Sequence, residues 1–248
     1  FHVKHLKGET MFIPTDKLKR LADSFGVQLE GTALERFDIY AKLLAEWNEK
    51  INLTAITDPL GITVKHFADS LTVFKYCSFP QKSKVIDVGT GAGFPGLALL
   101  IARPDLQLTL LDSTKKKLGV IENILSETGL SAELLHSRAE EAGQNANYRE
   151  HFDFATARAV ANLRELSEYC LPFVKRGGYF ISMKGANALE ELYGAKKAIA
   201  LLGGKVEREE SFTLEDAGER CIIAVKKLSP TPGKYPRPSA KIAKNPLE

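Results

Sequence analysis

The chain has 248 residues, 44% of them hydrophobic and 26% charged, and a formal net charge of +3. That length suits one full α/β domain with a smaller appendage, and the composition is that of an ordinary globular protein. No apolar run approaches the ~20 residues needed to cross a bilayer, and the small net charge does not by itself identify a nucleic-acid partner.

The first residues, Phe1 to Lys7, mix His and Lys with apolar side chains and lack a signal-peptide core, so a cytoplasmic address is expected. Residues 1–79 read as a helical region. Leu18, Leu21, Ala22 and Phe25 fall on one helical face, and Thr32 with Glu35 forms a capping box before a second helix that carries Phe37, Tyr40, Leu44 and Trp47. Trp47 is expected in the core and Asn52 at the turn that follows. Asp58-Pro59, a cap followed by proline at the first turn, opens a third helix that buries Ile62, Phe67, Leu71 and Phe74. His66 and Asp69 lie three apart on it. They could order RNA or a lid, but a buried structural pair is the preferred reading.

Residues 80–228 alternate short apolar runs with helical stretches, the pattern of βα units in a mostly parallel sheet. Strands are expected at residues 84–88, 106–111, 132–135, 152–156, 179–184, 205–212 and 220–226. The last two are separated only by Thr213 to Glu219, too short for a parallel crossover, so they should close the sheet as an antiparallel hairpin. Cys77, Cys170 and Cys221, odd in number and far apart, read as reduced core thiols, and no metal site is expected. Residues 229–248 hold Lys234, Arg237, Lys241 and Lys244 against the single acid Glu248, and five prolines should keep this tail extended over the surface.

The sharpest signal is Val85-Ile86-Asp87-Val88-Gly89-Thr90-Gly91-Ala92-Gly93-Phe94-Pro95-Gly96, an apolar strand entering an acid and a glycine loop. Glycines let the backbone turn sharply and approach a ligand, and the spacing also satisfies a dinucleotide pattern, weak by itself. Asp87 would repel a pyrophosphate but suits the ammonium of a methionine moiety. Asp112, at the end of the next strand, can accept hydrogen bonds from ribose hydroxyls of either cofactor class. S-adenosylmethionine is therefore preferred to a nicotinamide dinucleotide.

The loop with its Phe-Pro-Gly ending, Leu111-Asp112-Ser113 and Lys115-Lys116-Lys117 resembles the bacterial 16S ribosomal RNA guanine-N7 methyltransferase family, also called glucose-inhibited division protein B. Further matching blocks are Trp47-Asn48 with Ile51 to Thr54, His66 with Asp69-Ser70, Arg138-Ala139-Glu140, Ala157-Arg158-Ala159, Gly177-Gly178 with Lys184-Gly185, and Tyr235-Pro236-Arg237. The resemblance implies a class I methyltransferase fold, Rossmann-like and ending in an antiparallel hairpin, with an N-terminal helical extension. It places cofactor contacts on Gly89 and Phe94, on Ala139 and Glu140 and on Arg158, beside Asp87, Gly91, Gly93 and Asp112 from the loop itself. The tail departs from the family after Arg237, where Pro238-Ser239-Ala240 replaces an expected Gly-x-Pro stretch.

Guanine N7 has an accessible lone pair and no proton, so methylation there needs alignment rather than a general base or covalent nucleophile. No Pro-Cys pair and no Asn/Asp-Pro-Pro-aromatic loop point instead to cytosine C5 or an exocyclic amine. No catalytic residue is assigned. Arg158, Lys184 and His66 are the candidates for alignment and RNA contact, with an exposed strand-end charge the alternative for Arg158. Lys115, Lys116, Lys117, Arg138, Lys234 and Arg237 are the candidates for contact with 16S rRNA, expected within the small ribosomal subunit, and the chain is expected to act as a monomer. The competing readings are a methyltransferase for a small molecule or protein, and a non-catalytic RNA-binding module that keeps the cofactor loop.

Overall fold

The computed structural model describes residues 11–248, so the expectation drawn from Phe1 to Lys7 lies outside the described residues. Seven strands form one sheet in the order β3-β2-β1-β4-β5-β7-β6. They are β1 (Lys84–Val88), β2 (Gln107–Asp112), β3 (Glu133–His136), β4 (Phe152–Arg158), β5 (Val174–Lys184), β6 (Gly204–Leu214) and β7 (Gly218–Lys227). The first five are parallel, while β7 inserts antiparallel between β5 and β6, which makes the expected closing hairpin. The direction of winding reverses between β1 and β4, the place where open α/β sheets bind ligands.

Alternation along β1 sends Val85 into one apolar layer and Ile86 and Val88 into the other. The Val85 layer is covered by α1 (Thr15–Ser24), α2 (Gly31–Asn48), a helical stretch over 59–76, α6 (Gly96–Ala102) and α7 (Lys115–Thr128). One cluster of buried side chains runs from Ile13 through Phe37, Phe67 and Leu97 to Ile222, so the N-terminal helices share the core of the sheet. The opposite layer holds α8 (Ala139–Ala142), α9 (Leu163–Cys170), α10 (Ala188–Leu201) and the tail.

Several local expectations change. The second helix starts at Gly31 behind Glu30, and no side chain caps it, so the Thr32 capping box does not form. Asp58 does cap the third helix by accepting from the Gly61 amide at 2.7 Å. That stretch divides into α3 (Pro59–Gly61), a π-helix (Ile62–Ala68), α4 (Asp69–Leu71) and α5 (Val73–Tyr76). From Ile62 to Val73 every residue but Lys65 is buried, Ile62 and Phe67 completely. Asn48, rather than Asn52, closes the turn after α2, accepting from the amides of Leu53 and Thr54 at 2.8 and 2.9 Å, while Asn52 is exposed. Trp47 packs on the core edge with its indole N–H donated to Asn123 Oδ1 at 3.0 Å. Cys170 and Cys221 are buried and Cys77 is half-buried, all as free thiols.

The tail is the largest departure. It ends in a short helix, α11 (Ser239–Lys244), and buries Thr231, Tyr235 and Ile242 instead of lying extended on the surface. Side chains that proline spacing cannot reveal hold it down. Arg149 donates to the carbonyls of Thr231 and Tyr235 at 2.7 and 2.8 Å, and the fully buried Lys227 ammonium donates to Leu171 O at 2.6 Å and Thr231 Oγ1 at 2.5 Å.

Candidate active site

The glycine loop leaves β1 at the centre of the sheet, and its geometry starts with Asp87. The carboxylate is completely buried, with Oδ1 accepting from Thr156 Oγ1 at 2.8 Å and Oδ2 from Thr90 Oγ1 at 2.6 Å and the Gly96 amide at 3.0 Å. Burial raises its pKa, and the hydrogen bonds oppose that rise. Asp87 does not line the cleft beyond the loop. It ties the loop to β4 and to the start of α6. Gly93 also lies behind the lining. Its φ is +104°, and an added Cβ would lie 2.7 Å from the Tyr40 hydroxyl oxygen, so that glycine admits α2 rather than a ligand.

Gly89, Gly91 and Phe94 do line the cleft, whose volume is about 610 Å³. Gly91 has φ +60°, and a Cβ there would have only Gly89 O nearby, at 3.9 Å. Its backbone is therefore bare on the open side. Its amide donates to Asp112 Oδ2 at 2.9 Å, and Thr114 N donates to Oδ1 at 2.8 Å. A carboxylate offers about four lone-pair sites, so Asp112 retains acceptors for two ribose hydroxyls. Ala139 and Glu140, at the start of α8, line the far wall together with Arg138 and Lys117. A glycine backbone without side chains, an acceptor at the end of β2 and a small apolar wall suit an adenosyl group with an aminoacyl chain.

A second chamber of about 650 Å³ adjoins the first, and the two share His66, Arg158, Ala159, Val160 and Ala161. Arg158 is the hinge of this junction. Its Nη1 donates to Asp69 Oδ2 at 2.9 Å, its Nη2 to His66 Nδ1 at 3.3 Å, and its guanidinium lies 4.9 Å from the Phe94 ring centroid. Asp69 Oδ1 accepts in turn from Arg220 Nε at 2.7 Å. His66 and Asp69 are buried, as the structural reading has it, but they meet through Arg158, and His66 faces the cleft.

A guanidinium can only donate, so His66 Nδ1 is the acceptor and the ring proton sits on Nε2, donated to Thr54 Oγ1 at 2.8 Å. Burial, followed by the charge of Arg158, holds the imidazole pKa down at about 3. Thr54 Oγ1 also accepts from the Ile56 amide at 3.0 Å. Both its lone pairs are committed, which leaves the hydroxyl proton for the cleft that Thr54 lines.

The basic residues divide. Lys117 and Arg138 line the cofactor chamber, and Lys115, Lys116 and Lys234 are exposed. Lys184 lines the second chamber, but its ammonium is held by Glu191 Oε2 at 2.8 Å and Ala161 O at 2.5 Å. Arg237 is engaged within the protein: its Nε, its Nη2 and its amide all donate to the fully buried Glu168, at 2.9, 2.7 and 2.8 Å. Sequence reasoning gave no role to Thr54, Thr156, Glu191 or Arg220. Thr156 lies level with Asp87 in the β1–β4 pairing, which becomes visible only once the strand order is known.

A family model described as rRNA small subunit methyltransferase G matches residues 33–221. The chain is 48% identical over 224 residues to a ribosomal RNA small subunit methyltransferase G of Brevibacillus brevis, covering 90% of this chain and 94% of the relative. It is 46% identical over 234 residues to the protein of that name from Geobacillus kaustophilus, covering 94% and 98%. Among solved structures, the fold is similar to an S-adenosylmethionine-dependent O-methyltransferase of Thermotoga maritima, with a TM-score of 0.52 and 15% identity, over 75% of this chain and 72% of that one. The YcgJ protein of Bacillus subtilis aligns with a TM-score of 0.51 and 14% identity over 66% of this chain and 100% of that one.

Proposed function

The chain belongs to the rRNA small subunit methyltransferase G family, and from that premise we propose that it methylates N7 of a guanine in 16S rRNA, within the small ribosomal subunit and in the cytoplasm. The cofactor is S-adenosylmethionine. When bound, it supplies a sulfonium methyl that passes to the N7 lone pair as the carbon–sulfur bond breaks and its electron pair returns to sulfur.

The protein's part is placement. Asp112 holds the ribose, and the bare backbone at Gly91 lets the aminoacyl chain lie against the loop. The Thr54 hydroxyl and the Arg158 guanidinium present donors at the loop end of the chamber, suited to the cofactor's carboxylate or to O6 of the base beside N7. The target base enters through the second chamber and reaches the junction at Arg158. No residue removes a proton, because N7 carries none.

The observation that carries this reading is the chemistry of the junction. His66 has both ring nitrogens engaged, Asp69 has both oxygens on arginines, and burial raises the pKa of the Cys221 thiol in the second chamber. At the junction itself none of these three groups is a free base or thiolate, which suits a nucleophile that needs neither. The test is to incubate the protein with labelled S-adenosylmethionine and small subunits lacking the modification, then map the product. Label on N7 of one guanine is the expected outcome; label on a carbon or an exocyclic amine overturns the assignment.

A further inference from the structure

The second chamber contains an acceptor that the reaction above does not use. Glu191, in the first turn of α10, turns Oε2 inward, where it accepts from the Leu163 amide at 2.8 Å and from the Lys184 ammonium at 2.8 Å. Lys184 is anchored by Ala161 O as well, so the carboxylate is fixed by α9 on one side and by the end of β5 on the other. Oε1 has no hydrogen-bond partner among the described residues, and Glu191 lines the second chamber. The carboxylate is thus braced through one oxygen and open through the other.

Resting on the function proposed above, we propose that Glu191 reads the Watson–Crick edge of the target guanine, its Oε1 accepting from N1–H and the N2 amino group. The geometry of the base supports this placement. N7 lies on the Hoogsteen edge, so a base that presents N7 to the junction at Arg158 turns N1 and N2 toward the far wall of the same chamber, which Glu191 helps to form. Guanine is the only standard base with two adjacent donors there. Adenine presents an acceptor at N1, and a carboxylate facing it meets lone pair with lone pair.

The same contact favours the chemistry. Methylation at N7 leaves the purine cationic and makes N1–H more acidic, so its hydrogen bond to a carboxylate strengthens as the methyl is transferred. An interaction that grows along the reaction lowers the barrier as well as selecting the substrate. Lys184 is a positioning residue here, acting through Glu191, in place of the RNA contact expected of it.

The experiment compares small subunits rebuilt with guanosine or inosine at the methylated position. Inosine keeps N7, O6 and N1–H and lacks only the N2 amino group. For the wild-type protein, kcat/KM on inosine should fall ~10-fold or more, as expected for one lost hydrogen bond to a charged acceptor. Glu191→Gln keeps an oxygen for the Leu163 amide and turns an NH₂ toward the base. It should lower kcat/KM on guanosine ~100-fold, bring the guanosine-to-inosine ratio to about one, and leave the affinity for S-adenosylmethionine by calorimetry unchanged. A wild-type ratio near one overturns the inference without any variant. So does an unchanged ratio in a folded Glu191→Gln protein. Failure of the wild-type protein to methylate the guanosine subunits would instead overturn the function on which this rests.

Discussion

Two arginines, one in the tail and one at the end of β4, are each paired with a buried carboxylate, and they do different work. Arg237 in the tail spends Nε, Nη2 and its own amide on Glu168, so that pair forms a closed lock. Arg158 at the exit of β4 gives Asp69 a single nitrogen, while Arg220 takes the other oxygen. Its Nε has no partner among the described residues, and the guanidinium lies over Phe94 at the mouth of two chambers. Charge and burial alone do not separate a structural arginine from a functional one. The space they face does: Arg158 lines both chambers and Arg237 lines neither.

The largest expected effect tests the open arginine. Arg158→Met should cut kcat/KM by ~100-fold or more while costing only about 1–3 kcal/mol of stability, because Asp69 keeps Arg220. Steady-state kinetics beside a denaturant melt check both halves. The closed arginine should behave in reverse. Arg237→Ala leaves Glu168 buried and uncompensated, which costs about 3–5 kcal/mol, with kcat/KM within a few-fold of normal below the melting transition. Activity collapsing in the folded Arg237→Ala protein would break the comparison.

The glycines sharpen the same contrast. Gly93→Ala drives a Cβ against Tyr40 at a positive φ and should lower stability by about 1–3 kcal/mol. Gly91→Ala, open on the cleft side, should weaken S-adenosylmethionine binding ~10-fold or more by calorimetry and change stability less.

A smaller effect follows from pH. The folded-state pKa of His66 lies near 3, below its unfolded value of about 6.5, so the unfolded chain binds the extra proton between these limits. The ring's contribution to stability is complete above pH ~6.5 and is lost as pH falls toward 3. His66→Gln should flatten that stretch of a stability–pH curve, and methyl transfer in the wild type should show no inflection from His66 near neutrality. The smallest effect belongs to the surface. With Arg158, Lys184 and Arg237 engaged within the protein, Lys115, Lys116, Lys117, Arg138 and Lys234 remain as candidates for RNA contact. Replacing Lys115 and Lys116 should make a log-log salt slope near ~−3.5 shallower by about 1.4.

The sheet was legible because its strands are short apolar runs between turn residues. The closing hairpin followed from a connection too short to cross over. That Gly89, Gly91, Phe94 and Asp112 would border a cleft was legible because backbone freedom and strand-end carboxylates are local properties. The bonds of Asp87 were not legible for a physical reason: sequence places it at the loop but not on a face, and alternation along β1 turns it toward Thr156 and the start of α6. The buried tail and the Lys184–Glu191 brace depend on partners dozens to scores of residues away or on the neighbouring helix, and no local pattern records them.

The Tyr40 hydroxyl donates to Ala92 O at 2.6 Å, and its ring stacks on Phe94 at 5.1 Å, so α2 is bolted to the loop that seats the methyl donor. Ligand that tightens this loop must also suppress fraying of a helix whose Tyr40 lies 52 residues upstream of Ala92. Slower deuterium uptake along α2, in amides that never touch the nucleoside, is the signature of that linkage.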